Sequence, residues 1–215
     1  LANVYLHYVL DLWFEKCIKK QLYGEAYLVR FADDFLIMFQ YERDAQRVYE
    51  AIIKRMELFG LELSKEKTRI LPFGRYSVTR ETFDFLGFTH FNSKTRKGYY
   101  SVGHKISRKK KKQFKSNLKR WVKENRNTQF DEFMKALNKK LTGSFNYYSL
   151  SGMIREVRSL WIHSLYVTFK WLNRRSQRRS FKLERFYEIW KDRIIHPYIH
   201  VDIWSGDKVI YNKNV

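Results

Sequence analysis

The chain of 215 residues carries 43 Lys and Arg against 22 Asp and Glu, a formal net charge of +21, and 44% of its residues are hydrophobic. This length and apolar content allow a packed core, which excludes wholesale disorder. Two Pro and nine Gly exclude collagen-like and linker-like classes, and a single cysteine, Cys17, excludes a disulfide framework. No apolar run is long enough to span a bilayer, and residues 1–16 lack the pattern of a signal peptide. We therefore expect a cytoplasmic protein.

The excess positive charge is confined to the C-terminal part of the chain. Residues 1–84 hold 13 basic and 13 acidic residues, residues 85–215 hold 30 and 9, and no acidic residue occurs between 85 and 123. Such uncompensated charge indicates a polyanion partner, for which nucleic acid is the leading expectation. A membrane surface is the weaker alternative, because no lipidation signal or amphipathic anchor stands out.

The first hundred residues predict a mixture of helices and strands. Helical spacing of apolar residues predicts a helix over 1–20, and two apolar runs predict a β-hairpin over 27–39 with acidic residues at its tip. A helix is predicted over 43–59, ended by Gly60, and a short strand over 68–72. Two further runs, 82–91 and 98–102, predict a second small β unit with a basic turn between them.

The remainder of the chain has a helical pattern. Helices are predicted over 107–124, over 128–148 with Thr128 as the N-cap, over 153–173 and over Leu183–Trp190. The apolar stripe of the third of these helices places Trp161 and Trp171 in its core-facing side. The change from mixed to helical pattern is predicted near residues 100–106.

The strongest chemical signal is a pair of adjacent carboxylates, Asp33 and Asp34, between two apolar strands. A solvated turn is one interpretation, because Asp favours turns. The functional interpretation is a divalent-metal site, since hard cations bind carboxylate oxygens. Two such cations about 4 Å apart can stabilise the attacking and leaving oxygens of a reacting phosphate.

Several segments resemble one family. Phe31-Ala32-Asp33-Asp34 resembles the YxDD box of reverse transcriptases, in the form FADD. LANVYLHYVLDLWFE is similar to the segment after the PQGG box of group II intron-encoded reverse transcriptases, LELSKEKTRILPF to their next motif, and FDFLGFTHF to the one after that. GHKISRKKKKQF leads into what resembles their thumb, or maturase domain X, and NYYSLSG and FKWLNRRSQRRSF resemble its later helices. The resemblance extends to about residue 190.

The resemblance implies an RNA-directed DNA polymerase that extends a primer 3′-OH with dNTPs and uses two Mg²⁺ ions. By this comparison Asp33 is the main metal ligand and Asp34 the second carboxylate. Phe31 stands where the family often has Tyr and is expected near the last base pair, and Ala32 is expected to be small because the primer end passes close. Lys67 matches the lysine proposed to protonate the leaving pyrophosphate, although a solvated surface lysine is the alternative.

A second matching motif is the primer grip, a tight turn that holds the primer strand. It comprises Phe85, Leu86, Gly87 and Phe88, and an ordinary hairpin strand is the alternative interpretation. The family's remaining metal ligand is an Asp upstream of the PQGG box, and Asp11 and Asp84 lie in other motifs. We therefore expect this chain to lack the fingers and the first catalytic Asp, and to be inactive alone.

The basic residues of the helical part are expected to bind RNA phosphates, with a solvated helix face as the plain alternative. Aromatic residues Trp121, Tyr147 and Tyr148 are expected either to stack on bases or to lie in the core. The expected RNA-binding residues are Lys105, Arg108, Lys109, Lys110, Lys111, Lys112, Lys115, Lys119, Arg174, Arg175, Arg178 and Arg179.

Together these observations predict an α+β fold, with a partial right-hand polymerase palm (an antiparallel hairpin plus helices) followed by an all-α thumb. The predicted parts are the palm over 1–75, a primer-grip β unit over 76–103, the thumb or domain X over 104–190 and a tail over 191–215. The expected partners are group II intron RNA, template RNA, a DNA primer and dNTPs, with no membrane. The alternative function is a non-catalytic RNA-binding maturase fragment that assists splicing.

Overall fold

The computed structural model describes residues 1–64, 66–175 and 182–202. The chain forms two compact units. Unit 1 comprises Leu1–Leu86 and His90–Gly103, and unit 2 comprises Gly87–Thr89 and the chain from His104 onward. The described residues hold six α-helices and five β-strands, which confirms the mixed α and β content that the sequence predicts.

The predicted N-terminal helix is confirmed, but much of it is wider than an α-helix. Helix α1 spans Ala2–Leu6 and continues through π-helical turns at His7–Asp11 and Phe14–Ile18 to a 3₁₀ turn at Lys19–Gln21. Insertions of this kind occur frequently near functional sites. They cannot be read from apolar spacing alone, because a π turn shifts the period by a single residue.

The predicted hairpin is confirmed, as is the helix after it. Strand β1, Ala26–Phe31, pairs antiparallel with β2, Asp34–Phe39, and helix α2 spans Glu42–Leu58. Alternate residues of β1 face inward, as expected of a hairpin with one face on a core. Gly60 has φ +67, the left-handed conformation that ends a helix.

The core of unit 1 lies between the N-terminal helix, the inner face of the hairpin and α2. Its buried members are Val9, Leu10, Phe14, Ala26, Val48, Ile52 and Met56. Asp44, also buried, accepts hydrogen bonds from the backbone N–H groups of Tyr23 and Gly24, at 3.0 and 3.1 Å. These bonds fasten the loop before β1 to the start of α2.

The prediction of a strand over 68–72 is wrong. The backbone N–H groups of Lys67 and Thr68 donate to the carbonyl of Ser64, which closes a turn. Arg69 extends its guanidinium to the Thr82 carbonyl, 2.7 Å away. A β-prone run needs a neighbouring strand to bond to, and among the described residues this run has none.

The second β unit is a sheet of three strands in the order β3-β4-β5. Strand β3 spans Thr82–Phe85, β4 spans Phe88–Lys94 and β5 spans Tyr100–Ile106. The run predicted over 82–91 is therefore divided into two strands by a turn at Leu86 and Gly87. Both residues have positive φ, +50 and +82, which is the sign pattern of the type I′ turns that join hairpin strands.

Unit 2 contains four helices close to the predicted positions. They are α3, Arg108–Asn125, α4, Phe130–Tyr148, α5, Ile154–Leu172, and α6, Leu183–Trp190. Ser107 caps α3 by accepting a hydrogen bond from the Lys110 N–H. The prediction of Thr128 as the cap of α4 is wrong: Gln129 holds that position, and the Thr128 N–H bonds to Asn125 in the turn that follows α3.

The helices of unit 2 enclose the larger core of the chain. Trp161 and Trp171 are buried there, as the apolar stripe of α5 predicts. Among the described residues, no helix is long and apolar enough to cross a bilayer. The further buried members of this core are Leu118, Val122, Phe133, Met134, Leu137, Leu141, Phe145, Val157, Leu165, Val167, Phe186, Trp190 and Ile194.

Candidate metal and nucleic-acid sites

The hairpin tip of unit 1 carries the paired carboxylates. Phe31 and Asp34 form the last cross-strand pair, and Ala32 and Asp33 form a two-residue turn between them. Ala32 has φ +54, the positive value that a type II′ turn requires at its first position and for which Gly is usual. An Ala in this conformation costs about 1–2 kcal/mol, so the surrounding structure must hold the turn.

Both carboxylates at the tip are uncommitted. Asp33 and Asp34 are exposed, and neither carboxylate makes a hydrogen bond or ion pair with the described residues. Mg²⁺ is commonly bound by one or two carboxylates together with substrate phosphates, so this donor set fits the metal that the family implies. No group of three His, Cys, Asp or Glu side chains able to hold a metal occurs among the described residues. A metal at the hairpin tip would have Asp33 and Asp34 as its carboxylate ligands from this chain.

An ion pair beneath the tip holds the turn in place. Arg30 donates from Nε to Asp11 Oδ1 at 2.7 Å and from Nη2 to Asp11 Oδ2 at 2.6 Å. Its Nη1 donates to the carbonyl of Ala32, the strained residue, at 2.8 Å, and to Asn3 at 3.3 Å. Only 13% of the Arg30 side chain is exposed. One guanidinium thus links the N-terminal helix to the turn that carries Asp33.

The same contact occupies Asp11. Hydrogen bonds from Arg30 are the main reason that the pKa of Asp11 is lowered, and desolvation only partly opposes them. The pKa of Arg30 is raised by the same hydrogen bonds. Asp11 is therefore an ionised partner of Arg30 and not an available third ligand. Sequence reasoning missed this pair, although an Arg on the inward face of β1, directly before the acidic box, was a visible signal.

The outer face of the hairpin is apolar and exposed. Tyr27, Val29 and Phe31 of β1 alternate onto this face, and Met38 lies opposite Tyr27 on β2. Phe31 is 65% exposed and adjoins the carboxylates along the strand. An exposed ring at this position is available to pack against a flat partner such as a base pair.

The structure does not join Lys67 to the carboxylates. Lys67 is exposed in the turn begun by Ser64, and no hydrogen bond or ion pair links it to Asp33 or Asp34 in the described parts of the chain. Its role in pyrophosphate release stays a prediction.

In unit 2 the turn of the predicted primer grip meets the start of α3. The Gly87 carbonyl accepts a hydrogen bond from the Ser107 N–H at 2.9 Å. A Cβ at Gly87 would lie 3.5 Å from Lys110 Cγ and 3.7 Å from the Tyr148 hydroxyl. The Phe88 ring stacks on Tyr147, whose side chain is half-exposed, with centroids 5.6 Å apart. Within unit 2, Gly87 and Phe88 therefore lie next to the start of the lysine run.

The residues of the lysine run differ in whether they pair with a carboxylate. Lys111 is half-buried and pairs with Glu156 of α5 at 3.1 Å, so its charge is neutralised within unit 2. Lys105, Lys109 and Lys110 are exposed. Spacings of four, three and four residues place a further set on one side of α3. That set, called the basic stripe here, consists of Arg108, Lys112, Lys115 and Lys119.

The second predicted basic cluster is only partly described. Arg174 lies over the Trp171 ring, with Cζ 5.1 Å from the centroid. Arg175 donates to the Thr128 carbonyl at 3.2 Å, and burial lowers its pKa. Arg178 and Arg179 lie outside the described residues. The expected face of four arginines is therefore untested.

One family model matches the part of the chain that contains the hairpin. No curated protein matches the chain. The family model described as reverse transcriptase (RNA-dependent DNA polymerase) matches residues 1–90. The matched stretch contains the FADD turn, the Arg30–Asp11 pair that supports it, Lys67 and the FLGF turn. The first 90 residues are thus similar to a reverse transcriptase domain.

Proposed function

We propose that the chain acts in RNA-directed DNA synthesis of the group II intron type, extending a primer 3′-OH on an RNA template. The observation that carries this proposal is the FADD turn. Two uncommitted carboxylates stand on a braced hairpin within the residues that match the reverse transcriptase family model. A solvated turn explains the exposure of the carboxylates but not the partly buried guanidinium that holds a strained Ala beside them.

The residues of the hairpin have separable tasks in this proposal. Asp33 and Asp34 would hold divalent metal, which would supply charge stabilisation for the attacking oxygen and the leaving pyrophosphate. Ala32 adds little bulk next to the reacting end of the primer. Phe31 offers a ring to the terminal base pair. Arg30 fixes the backbone so that these groups are positioned before substrate arrives.

Unit 2 supplies the nucleic-acid surface in this proposal. The FLGF turn, the exposed Tyr147 ring and the lysines at the start of α3 combine aromatic and cationic groups. Phosphate neutralisation by such cations gives salt-dependent affinity, and rings stack on bases whatever their sequence. The resemblance to group II intron enzymes extends this role to intron RNA, whose binding assists splicing.

Primer extension with Mg²⁺ on an RNA template tests the proposal. The unaltered chain is compared with Asp33→Ala/Asp34→Ala and with Glu57→Ala/Glu62→Ala, which removes two exposed carboxylates elsewhere in unit 1. RNA binding is measured in the same samples. Extension that disappears only in the first variant supports the proposal, whereas extension within a few-fold of the unaltered chain in that variant overturns the metal assignment.

The second candidate is an RNA-binding maturase without polymerase chemistry. It is favoured by one observation, that no third carboxylate joins Asp33 and Asp34 among the described residues. Salt-sensitive RNA binding by the unaltered chain, without any extension, would support this candidate and contradict polymerase activity for the chain. The predicted palm, primer-grip and thumb parts belong to either proposal.

A further inference from the structure

Three cations of unit 2 surround one indole ring. Lys123 Nζ and Arg126 Cζ, at the end of α3, each lie 5.7 Å from the centroid of Trp171, and Arg174 Cζ, just after α5, lies 5.1 Å from it. All three distances are within the range of a cation–π contact. The group formed by Lys123, Arg126 and Arg174 is called the Trp171 cluster here.

The charges of the Trp171 cluster are not neutralised by carboxylates. None of its three cations forms an ion pair within the described parts of unit 2, in contrast to Lys111, which pairs with Glu156. Any two of them are at most about 11 Å apart, because both lie within 6 Å of one centroid. Repulsion at this distance is about 0.4 kcal/mol per pair in water and grows where water is excluded. An anion placed among them would reverse the sign of this contribution.

The packing of α3 against α5 explains why these cations lie close together. Lys111 of α3 contacts Glu156 of α5, and Lys123 contacts Trp171, so the two helices run side by side in the same direction. Both helices therefore end near the cluster, and cations are stabilised at helix C-termini by about 0.3–1 kcal/mol each. At these helix ends Lys123 and Arg174 are exposed and Arg126 is half-buried.

The cluster suits a phosphate better than a base. Trp171 is only 8% exposed and its ring is surrounded by cations, so no base can stack on it. The guanidinium groups of Arg126 and Arg174 donate no hydrogen bond to the described residues, which leaves their N–H forks available. Such forks match phosphate oxygens in a bidentate manner.

We propose that the Trp171 cluster is a phosphate-binding site for the backbone of an RNA duplex. It lies eighteen residues along α3 from Arg108, about 27 Å at 1.5 Å per residue, so it is distinct from the surface at the FLGF turn. The basic stripe occupies the interval and leads from one end to the other. The inference rests on the RNA binding in the proposed function but not on chemistry at Asp33 and Asp34.

The test measures binding of a 16-base-pair RNA duplex over a range of salt concentrations. The variant Lys123→Ala/Arg126→Ala/Arg174→Ala is compared with Lys135→Ala/Lys139→Ala/Arg185→Ala, which removes three exposed cations of unit 2 that lie elsewhere. Both variants lose the same net charge. We expect the first to bind about tenfold more weakly near physiological salt and to have a salt slope smaller by about 2–3. The control is expected to stay close to the unaltered chain.

Equal affinities and slopes in the two variants would overturn the proposal, because the loss would then reflect net charge alone. Poly-glutamate serves as a second probe. A loss of poly-glutamate binding in the cluster variant, with RNA binding unchanged, would assign the cluster to an acidic protein and also overturn it. Primer extension is measured in a separate assay. The binding result for the Trp171 cluster can therefore be interpreted even if the polymerase proposal fails.

Discussion

The hairpin of unit 1 and the basic surface of unit 2 handle charge in opposite ways. In unit 1, Asp11 and Arg30 neutralise one another under the FADD turn, and the two remaining carboxylates are exposed on a braced support. In unit 2, cations accumulate along α3 and around Trp171 with little internal compensation. A reacting metal site needs fixed geometry, whereas a surface for a polyanion needs charge that stays available. Separate changes in the two regions should therefore affect chemistry and affinity independently.

The largest expected effect is on chemistry at the hairpin tip. Asp33→Asn/Asp34→Asn keeps the size of both side chains but removes the negative charge that holds a divalent cation. In an enzyme that also supplies the fingers and the first catalytic Asp, which this chain is expected to lack, we expect primer extension to fall by at least about 10²–10³-fold, as for other losses of transition-state charge stabilisation. RNA affinity is expected to change by less than about twofold. Initial rates of extension, with binding measured in parallel, check both numbers.

The corresponding change in unit 2 should lower RNA affinity and leave the rate of primer extension unchanged. Replacing the basic stripe by Ala removes four cations from one side of α3, and RNA affinity should fall by about 10–100-fold near physiological salt. The salt slope should decrease by about three. Extension at saturating template should remain within a few-fold of the unaltered chain. A large loss of extension at saturation would show that the two regions are not independent.

The helices and the hairpin were predictable because each depends on local pattern. A helical pattern over 107–124 predicted α3, and apolar runs on both sides of Asp33 and Asp34 predicted the FADD hairpin. The strand expected over 68–72 failed because pairing depends on a neighbour that local pattern does not supply. The φ of +54 at Ala32 was equally hidden, since nothing in an Ala residue indicates it.

The contacts that complete the candidate sites could not be predicted for a different reason. Arg30 and Asp11 are 19 residues apart, and their pairing depends on how the N-terminal helix packs under the hairpin. The Trp171 cluster depends on α3 and α5 lying side by side, since Lys123 and Arg174 are distant in sequence. Sequence reasoning named Asp33 and Asp34 at an exposed hairpin tip, but not the residues that hold the tip in place.

A smaller effect is expected from the brace under the hairpin. Arg30→Met leaves the half-buried Asp11 carboxylate with His7 Nδ1, 3.3 Å away, as its remaining side-chain partner and frees the Ala32 carbonyl, at a cost of about 1–2 kcal/mol. This lowers Tm by about 2–8 °C in a chain of this length. Extension should fall because the turn is released, and RNA affinity should not change. Arg30→Lys restores one hydrogen-bond donor. If extension recovers in this variant while Tm stays low, the loss in Arg30→Met reflects the position of the turn and not a general loss of stability.

The pH dependence of this brace has a defined sign. Arg30 holds the pKa of Asp11 below its ordinary value. The ion pair therefore contributes its full stability above the unfolded-state pKa, near 4, and loses it as pH falls through the lower folded-state pKa. Thermal unfolding of Asp11→Asn compared with the unaltered chain should show a stability difference that shrinks below pH 4. A difference that stays constant down to pH 2 would contradict the ion pair.

The smallest expected effect separates backbone strain from contact at the FLGF turn. Gly87 and Gly98 both have φ +82, but only Gly87 has neighbours within 4 Å of an added Cβ, namely Lys110 and Tyr148. Gly87→Ala and Gly98→Ala should each destabilise by about 1 kcal/mol, because an L side chain is strained at that φ. RNA affinity should fall by about twofold only for Gly87→Ala, whose methyl group makes van der Waals contact with the Lys110 side chain and limits its conformations. Equal affinities in the two variants would show that the turn contributes to folding and not to RNA binding, since strain is the one effect they share.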